Sequence, residues 1–258
     1  MDAYERSSTS SRPPLAGPGP ARPSAIAAPS VLAKVPPGEL VAWLLPAGLT
    51  LTGISLTMAA SGSAVHLHEG ELHVHGGWAL LVAGAVGMGL AMMGPLAVPL
   101  GLAAGRASLR RQGGGTSAVA VLTFVGLWAL VSVPLHLAGM LAVRVLPGAA
   151  LIAGLALWCA LRQFTPGHDA AVRSCRRSHP IRPGSATADA ADWGTRAAVR
   201  SLPTCAWPML LAAAAPSATV AVAVTLLIAA ESLLAVRPRG LLAAGYLATG
   251  VVALVSLS

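Results

Sequence analysis

Four of the chain's seven histidines fall within ten residues, HLHEGELHVH, at His66, His68, His73 and His75. Neutral imidazole is a common ligand for Cu(II) and Zn(II). The stretch alternates about Gly70-Glu71, and Gly followed by another residue suits a two-residue type II′ turn. The predicted hairpin sets Glu69 opposite Leu72, His68 opposite His73, Leu67 opposite Val74 and His66 opposite His75. All four imidazoles then leave one face. Cross-strand Cβ atoms lie about 4.5–5.5 Å apart, so two rings can share an ion. A flat hairpin wraps one ion poorly with four rings. The expectation is two bis-His sites, or one site completed by Glu69, Glu71 or His136, which lies beside Pro134. The same residues also fit a plain hydrophilic loop, or a pH sensor, since free imidazole titrates near pH 6.5.

A second constellation is MGLAMMGP, with Met88 and Met92 on one helix face and Met93 about 100° around it. Thioethers are soft ligands that favour Cu(I), and they are also ordinary gap-filling side chains. The three cysteines, Cys159, Cys175 and Cys205, make no disulfide framework. Cys159 reads as a packed helix residue. Cys175 has arginine neighbours that could favour its thiolate, and it reads equally as an unreactive loop residue. Glu231 is the clearest ionisable group inside an apolar run, a costly placement that often marks function. It could also reach the interface or pair with Arg237. No Walker loop, Gly-x-Ser-x-Gly elbow or His-Glu-x-x-His is present, so no catalytic constellation supports an enzyme.

These residues need elements to hold them, and composition says which. Apolar residues make up 55% of the 258 and charged residues 10%, with a mean hydropathy of +0.71. Runs such as 40–62 and 113–141 carry no charge. Such runs match the hydrocarbon thickness as helices, and in lipid a helix satisfies its own backbone. The fold class predicted is all-α, a polytopic transmembrane bundle of about seven spans. Residues 1–38, rich in Ser, Pro, Gly and Ala, are expected to be a disordered cytoplasmic tail rather than a signal peptide. The transmembrane domain is expected over 39–258. Helices are predicted over 40–60, 77–102, 117–139, 146–164, 202–215, 218–236 and 241–257. The fifth is punctuated by Pro203, Pro208 and Pro216. Pro208 would kink it, leaving a freed carbonyl for buried neighbours to satisfy. A re-entrant hairpin is the alternative there.

The basic residues orient the bundle. With the N-terminus inside, the tail, the 103–116 loop, the 165–201 loop and Arg237 with Arg239 all face inward. Only Arg144 then faces outward. That asymmetry obeys the positive-inside rule. It puts the 65–76 His-rich loop and the C-terminus outside, in a bacterial cytoplasmic membrane. The net charge of +8 is met by anionic lipid, with no nucleic-acid partner. Trp43 and Trp78 suit interfacial anchoring, and Gly84, Gly87, Gly89 and Gly94 suit close helix packing.

The chain resembles a bacterial family of predicted metal-binding integral membrane proteins, a domain of unknown function. Trp78, Met88, Ala91, Met92, Met93 and Pro95 match its Trp-led helix with Met-x-x-Ala-Met-Met-x-Pro. Trp128 keeps one position of the next motif, where Thr123 and Phe124 replace Gly-Tyr. In QFTPGHDAAVRSCRR, Gln163, Pro166, Cys175 and Arg176 match, while His168 stands for a Lys and Ala171 for a Cys. TCAWPML keeps Cys205 and Trp207 but has Ala206 at a second Cys, and Glu231 resembles an acidic residue of the following helix. The resemblance covers about 78–235 and implies a divergent member whose cysteine pairs have become single residues.

The function expected is binding, delivery or transport of a transition metal, copper or zinc. The ion would pass from the outer histidines through His136 and Met88, Met92 and Met93 to Cys205. Partners would be the bilayer, the ion, and a membrane or periplasmic protein. The alternative is a non-catalytic membrane scaffold, or a subunit of a membrane complex, whose Met and His residues have no metal role.

Overall fold

The computed structural model describes residues 37–60, 64–68, 71–75, 77–108, 113–175, 185–215, 217–234 and 237–256. The expected disordered tail lies almost wholly outside them. The elements are α1 (Pro37–Ala60), β1 (Ala64–His68), β2 (Glu71–His75), α2 (Gly77–Ala107), α3 (Gly113–Val145), α4 (Gly148–Leu161), α5 (Pro166–Cys175), α6 (Ala186–Ala214), α7 (Ala218–Leu233) and α8 (Arg239–Val255). A 3₁₀ turn, Arg162–Phe164, joins α4 to α5.

The helical expectation holds, with one antiparallel two-stranded ribbon added. The count of seven spans is not shown. Among the described residues three helices, Gly38–Ala60, Gly77–Ala107 and Gly113–Val145, are long and apolar enough to cross a membrane. A fourth crossing appears if Gly148–Phe164 and Pro166–Cys175, bent by 82°, count as one broken span. The helices α7 and α8 have 16 and 17 residues, below the roughly 20 of a full perpendicular crossing. The predicted fifth helix, 202–215, is the second half of α6, which runs unbroken through Pro203 and Pro208. The predicted helix therefore stands, as part of a longer one, and the alternative re-entrant hairpin over 202–215 does not form. The first half of α6 carries Asp189, Asp192, Arg196 and Arg200. Two helices, α5 and the start of α6, occupy what reads in sequence as the 165–201 loop.

Small residues set the helix spacing. A Cβ on Gly53 would come within 2.5 Å of the Ala91 nitrogen and the Gly87 carbonyl oxygen, so α1 and α2 approach backbone to backbone. A Cβ on Gly84 would meet the Ala60 side chain, one on Gly89 the Ser132 side chain and one on Gly94 the Thr50 side chain, as the glycine pattern of the second helix predicts. The helices α2 and α3 run antiparallel. Gly194 abuts the Ala120 carbonyl oxygen and Gly139 abuts Ala213, a constant offset that makes α3 and α6 parallel. The main core lies between α2, α3 and α6, and α4, α7 and α8 close it. Apolar side chains also cover the outside: Trp43, Leu51, Leu130 and Leu226 are all more than half exposed.

Candidate copper-handling core

The three methionines of α2 face inward. Met88, Met92 and Met93 are buried in the main core, and so are Cys205 and Met209 of α6. Two hydrogen bonds fix the relative heights of these helices. Ser132 of α3 donates to the Ala85 carbonyl oxygen at 2.6 Å, and Trp128 Nε1 donates to Ser201 Oγ at 2.9 Å. Because α2 runs against α3 and α6 runs with it, Met88 and Cys205 come nearest in level, while Met93 lies toward the start of α3 and Met209 toward its end. The five soft side chains are buried in one core, spread along α3. Met209 was not singled out from sequence. Its signal was available, since Cys205 and Met209 are an i,i+4 pair, as Met88 and Met92 are. Trp128, the residue kept from a weakened motif, is the fully buried strut between the two helices.

A polar cluster lies at the bend between α4 and α5. Thr165 accepts from the His168 backbone N–H at 3.3 Å, and Pro166 occupies the first turn, where its missing N–H costs nothing. The bend folds α5 back onto α6 and buries Arg162, Gln163 and His168. Arg162 Nη2 lies 2.9 Å from His168 Nδ1. A guanidinium only donates, so Nδ1 accepts and the ring proton of a neutral His168 sits on Nε2. Nε2 is 3.3 Å from Glu231 Oε2, in ion-pair range but outside hydrogen-bond geometry. Gln163 Nε2 donates to Glu231 Oε1. The expected Glu231–Arg237 pair is replaced: Arg237 donates to Asp169 Oδ1 at 2.7 Å and to Gln163 Oε1 at 3.1 Å. Arg239 takes the other oxygen of Asp169 at 2.6 Å. Geometry explains the replacement, because α5 brings His168 and Asp169 between Glu231 and the start of α8.

Arg162 also answers the question Pro208 raised. Pro208 has no N–H for the Thr204 carbonyl, four residues before it. Arg162 Nη1 donates to that carbonyl at 3.3 Å, and Nη2 reaches the Pro203 carbonyl beside it. Thr204 is also where two thiols meet. Its Oγ1 lies 3.5 Å from Cys205 Sγ and 4.0 Å from Cys175 Sγ, while Cys175 donates to the Arg200 carbonyl at 3.2 Å. A cavity of about 380 Å³ opens beside them, lined by Leu96, Phe124, Cys175, Trp193, Thr204 and Leu233 among others. Cys159 is packed between α4 and α8 with Tyr246, as expected of a core residue.

The histidine hairpin forms, in a different register. His66 pairs with His73, His68 with Glu71, Val65 with Val74, Leu67 with Leu72 and Ala64 with His75. The predicted pairing of His68 with His73 and His66 with His75 is thus displaced. That register would have set Val65 opposite Gly76, whereas the observed one matches Val with Val and Leu with Leu, which cross-strand packing favours. Gly70, assigned to the turn, and Glu69, expected opposite Leu72, lie outside the described residues; Glu71, the other expected turn residue, begins β2. His136 lies in α3 with Nδ1 buried and without a hydrogen-bond partner. Among the described residues no group of three or more His, Cys, Asp or Glu side chains is arranged to hold a metal ion. A bound ion would therefore rest on thioethers or on fewer ligands.

No curated protein and no solved structure matches the chain. A family match does exist. It begins at residue 85, just before the methionines, and ends at 255, so it takes in the buried methionines, the polar cluster and both thiols at Thr204. It gives the chain a copper-related role and agrees with the metal-related character of the resemblance seen in sequence. With residues 85–255 matched, the chain belongs to the PpoB2 copper chaperone family.

Proposed function

We propose that this protein is a multi-pass protein of the bacterial cytoplasmic membrane that binds Cu(I) in its sulfur-rich core and hands it to a partner apoprotein. One observation carries the reading: Met88, Met92, Met93, Cys205 and Met209 share one buried core in a chain of a copper chaperone family. Buried thioethers exclude water and hold Cu(I) without deprotonation, so an ion can load and leave with no proton cost at those ligands. The His66–His75 hairpin would collect Cu(II) at the outer surface, with His136 between it and the methionines. Three long apolar helices support membrane insertion. The placement of the basic residues orients it, with the N-terminus inside and the hairpin and C-terminus outside.

The test is copper analysis of the full chain in mild detergent, prepared without an affinity His tag and loaded anaerobically with Cu(I). Retention of copper, with X-ray absorption reporting sulfur neighbours, is the expected result. Copper-free protein after loading would overturn the reading and leave the methionines as packing residues of a scaffold.

A further inference from the structure

We propose that Cys175 and Cys205 form a two-thiolate Cu(I) site at the wall of the cavity, on either side of Thr204. It rests on the copper reading above and adds a second station to it. The two cysteines are thirty residues apart in sequence and on different helices. The bend at Thr165 brings the end of α5 against α6, so that both sulfurs approach one hydroxyl, at 4.0 and 3.5 Å. Neither is in a disulfide. A two-coordinate ion needs its sulfurs roughly 4.5 Å apart, twice a metal–sulfur bond. Cys175 is half-buried and lines the open cavity, so its side chain has room to turn towards Cys205.

The local chemistry favours Cu(I). Thiolates are soft ligands, and a copper held by two of them carries one net negative charge. The Arg162 guanidinium, bound to the Thr204 carbonyl at 3.3 Å, places a positive charge beside the complex in a buried setting. On loading, two S–H bonds break, two S–Cu bonds form and two protons pass to solvent. Copper remains Cu(I), so no oxidant or reductant is needed. Cys205 also belongs to the core that holds the methionines. An ion can therefore move from thioethers to thiolates by ligand exchange and emerge at the cavity.

The test titrates Cu(I) against a Cu(I)-specific chelator for wild type, Cys175→Ser, Cys205→Ser, the double variant, and Met88→Leu/Met92→Leu/Met93→Leu. Each cysteine change is expected to weaken one Cu(I) site at least tenfold and to abolish its two-coordinate sulfur signature in X-ray absorption. The double change is expected to do no more than either single change. Cu(I) is also expected to protect Cys175 from maleimide labelling. Wild-type affinity and an unchanged signature in Cys175→Ser would overturn the proposal. That variant decides the matter even if the buried Cys205→Ser fails to fold. Copper lost only in the methionine variant would sink this site and leave the core reading standing. A wild type that takes up no Cu(I) at all would sink the core reading itself.

Discussion

Replacing Glu231 by Gln removes one charge and almost no volume. Glu231 is 2% exposed, with Gln163 and His168 against it. On the far side of His168 stands Arg162, itself 6% exposed and pointing at His168 and at two carbonyls of α6. Asp169 is committed to Arg237 and Arg239, so Glu231 is the carboxylate that balances Arg162. Taking one partner from a buried charge pair costs about 3–5 kcal/mol, because the survivor stays buried and uncompensated. At roughly 2–4 °C per kcal/mol for a chain of this size, Glu231→Gln is expected to melt about 6–20 °C lower. The assay is thermal unfolding of the purified protein in detergent, followed by the loss of its monodisperse peak. The pair Arg162→Met/Glu231→Gln is expected to melt above the sum of its two singles. Replacing both charges leaves no orphan, and coupled sites depart from additivity by about 0.5–3 kcal/mol. A Glu231→Gln protein that melts with wild type would refute the claim that these charges act as one unit.

Three further outcomes follow from the packing and the hairpin. Met92→Leu and Met93→Leu conserve volume, so each is expected to cost less than about 1.5 kcal/mol of stability in the same melt while core Cu(I) is lost; equal copper retention would remove the thioethers from the site. Gly194→Ala would place a Cβ 2.6 Å from the Ala120 carbonyl oxygen, and an overpacking cost of about 1–3 kcal/mol is expected in thermal unfolding. Changing His66, His68, His73 and His75 together to Asn is expected to abolish Cu(II) binding by the intact protein, read by electron paramagnetic resonance, without touching core Cu(I). An unchanged Cu(II) spectrum would clear the hairpin of a metal role.

Much of this architecture is legible in the residues, because its cause is local. Charge-free apolar runs announce α1, α2 and α3, and glycines announce how closely α2 is packed. His–Leu–His against Leu–His–Val–His announces a hairpin. What fails is register and continuity. Gly70 alone does not choose between two turns one residue apart, and the Val65–Val74 match that favours one needs both strands at once. The prolines at 203 and 208 read as a break because a helix interior loses hydrogen bonds there. The helix continues past Pro208 with Arg162, forty-two residues before Thr204, donating to the carbonyl that Pro208 frees. The metal candidates divide the same way. The methionines are visible as one face of one helix. That they share a core with Cys205 and Met209 depends on how α2 and α6 run along α3, and no local pattern states that.

Arg162 joins α4, α5 and α6 through its contacts. A guanidinium buried among apolar helices is expensive, and hydrophobic replacements of buried charge pairs are often as stable or more so. Stability alone is therefore a poor account of its place here. Its contacts specify three things: the carbonyls of Pro203 and Thr204, the orientation of the His168 ring, and the fold-back that sets Cys175 beside Thr204. If positioning is the reason for the charge, Arg162→Met with Glu231→Gln separates the two roles. The double variant is expected to recover much of its melting temperature, yet its Cu(I) affinity at the thiol pair is expected to stay at least tenfold weakened, since a hydrophobe neither holds α5 in register nor places a positive charge beside an anionic copper–thiolate complex. Recovery of stability and affinity together would reduce the cluster to packing.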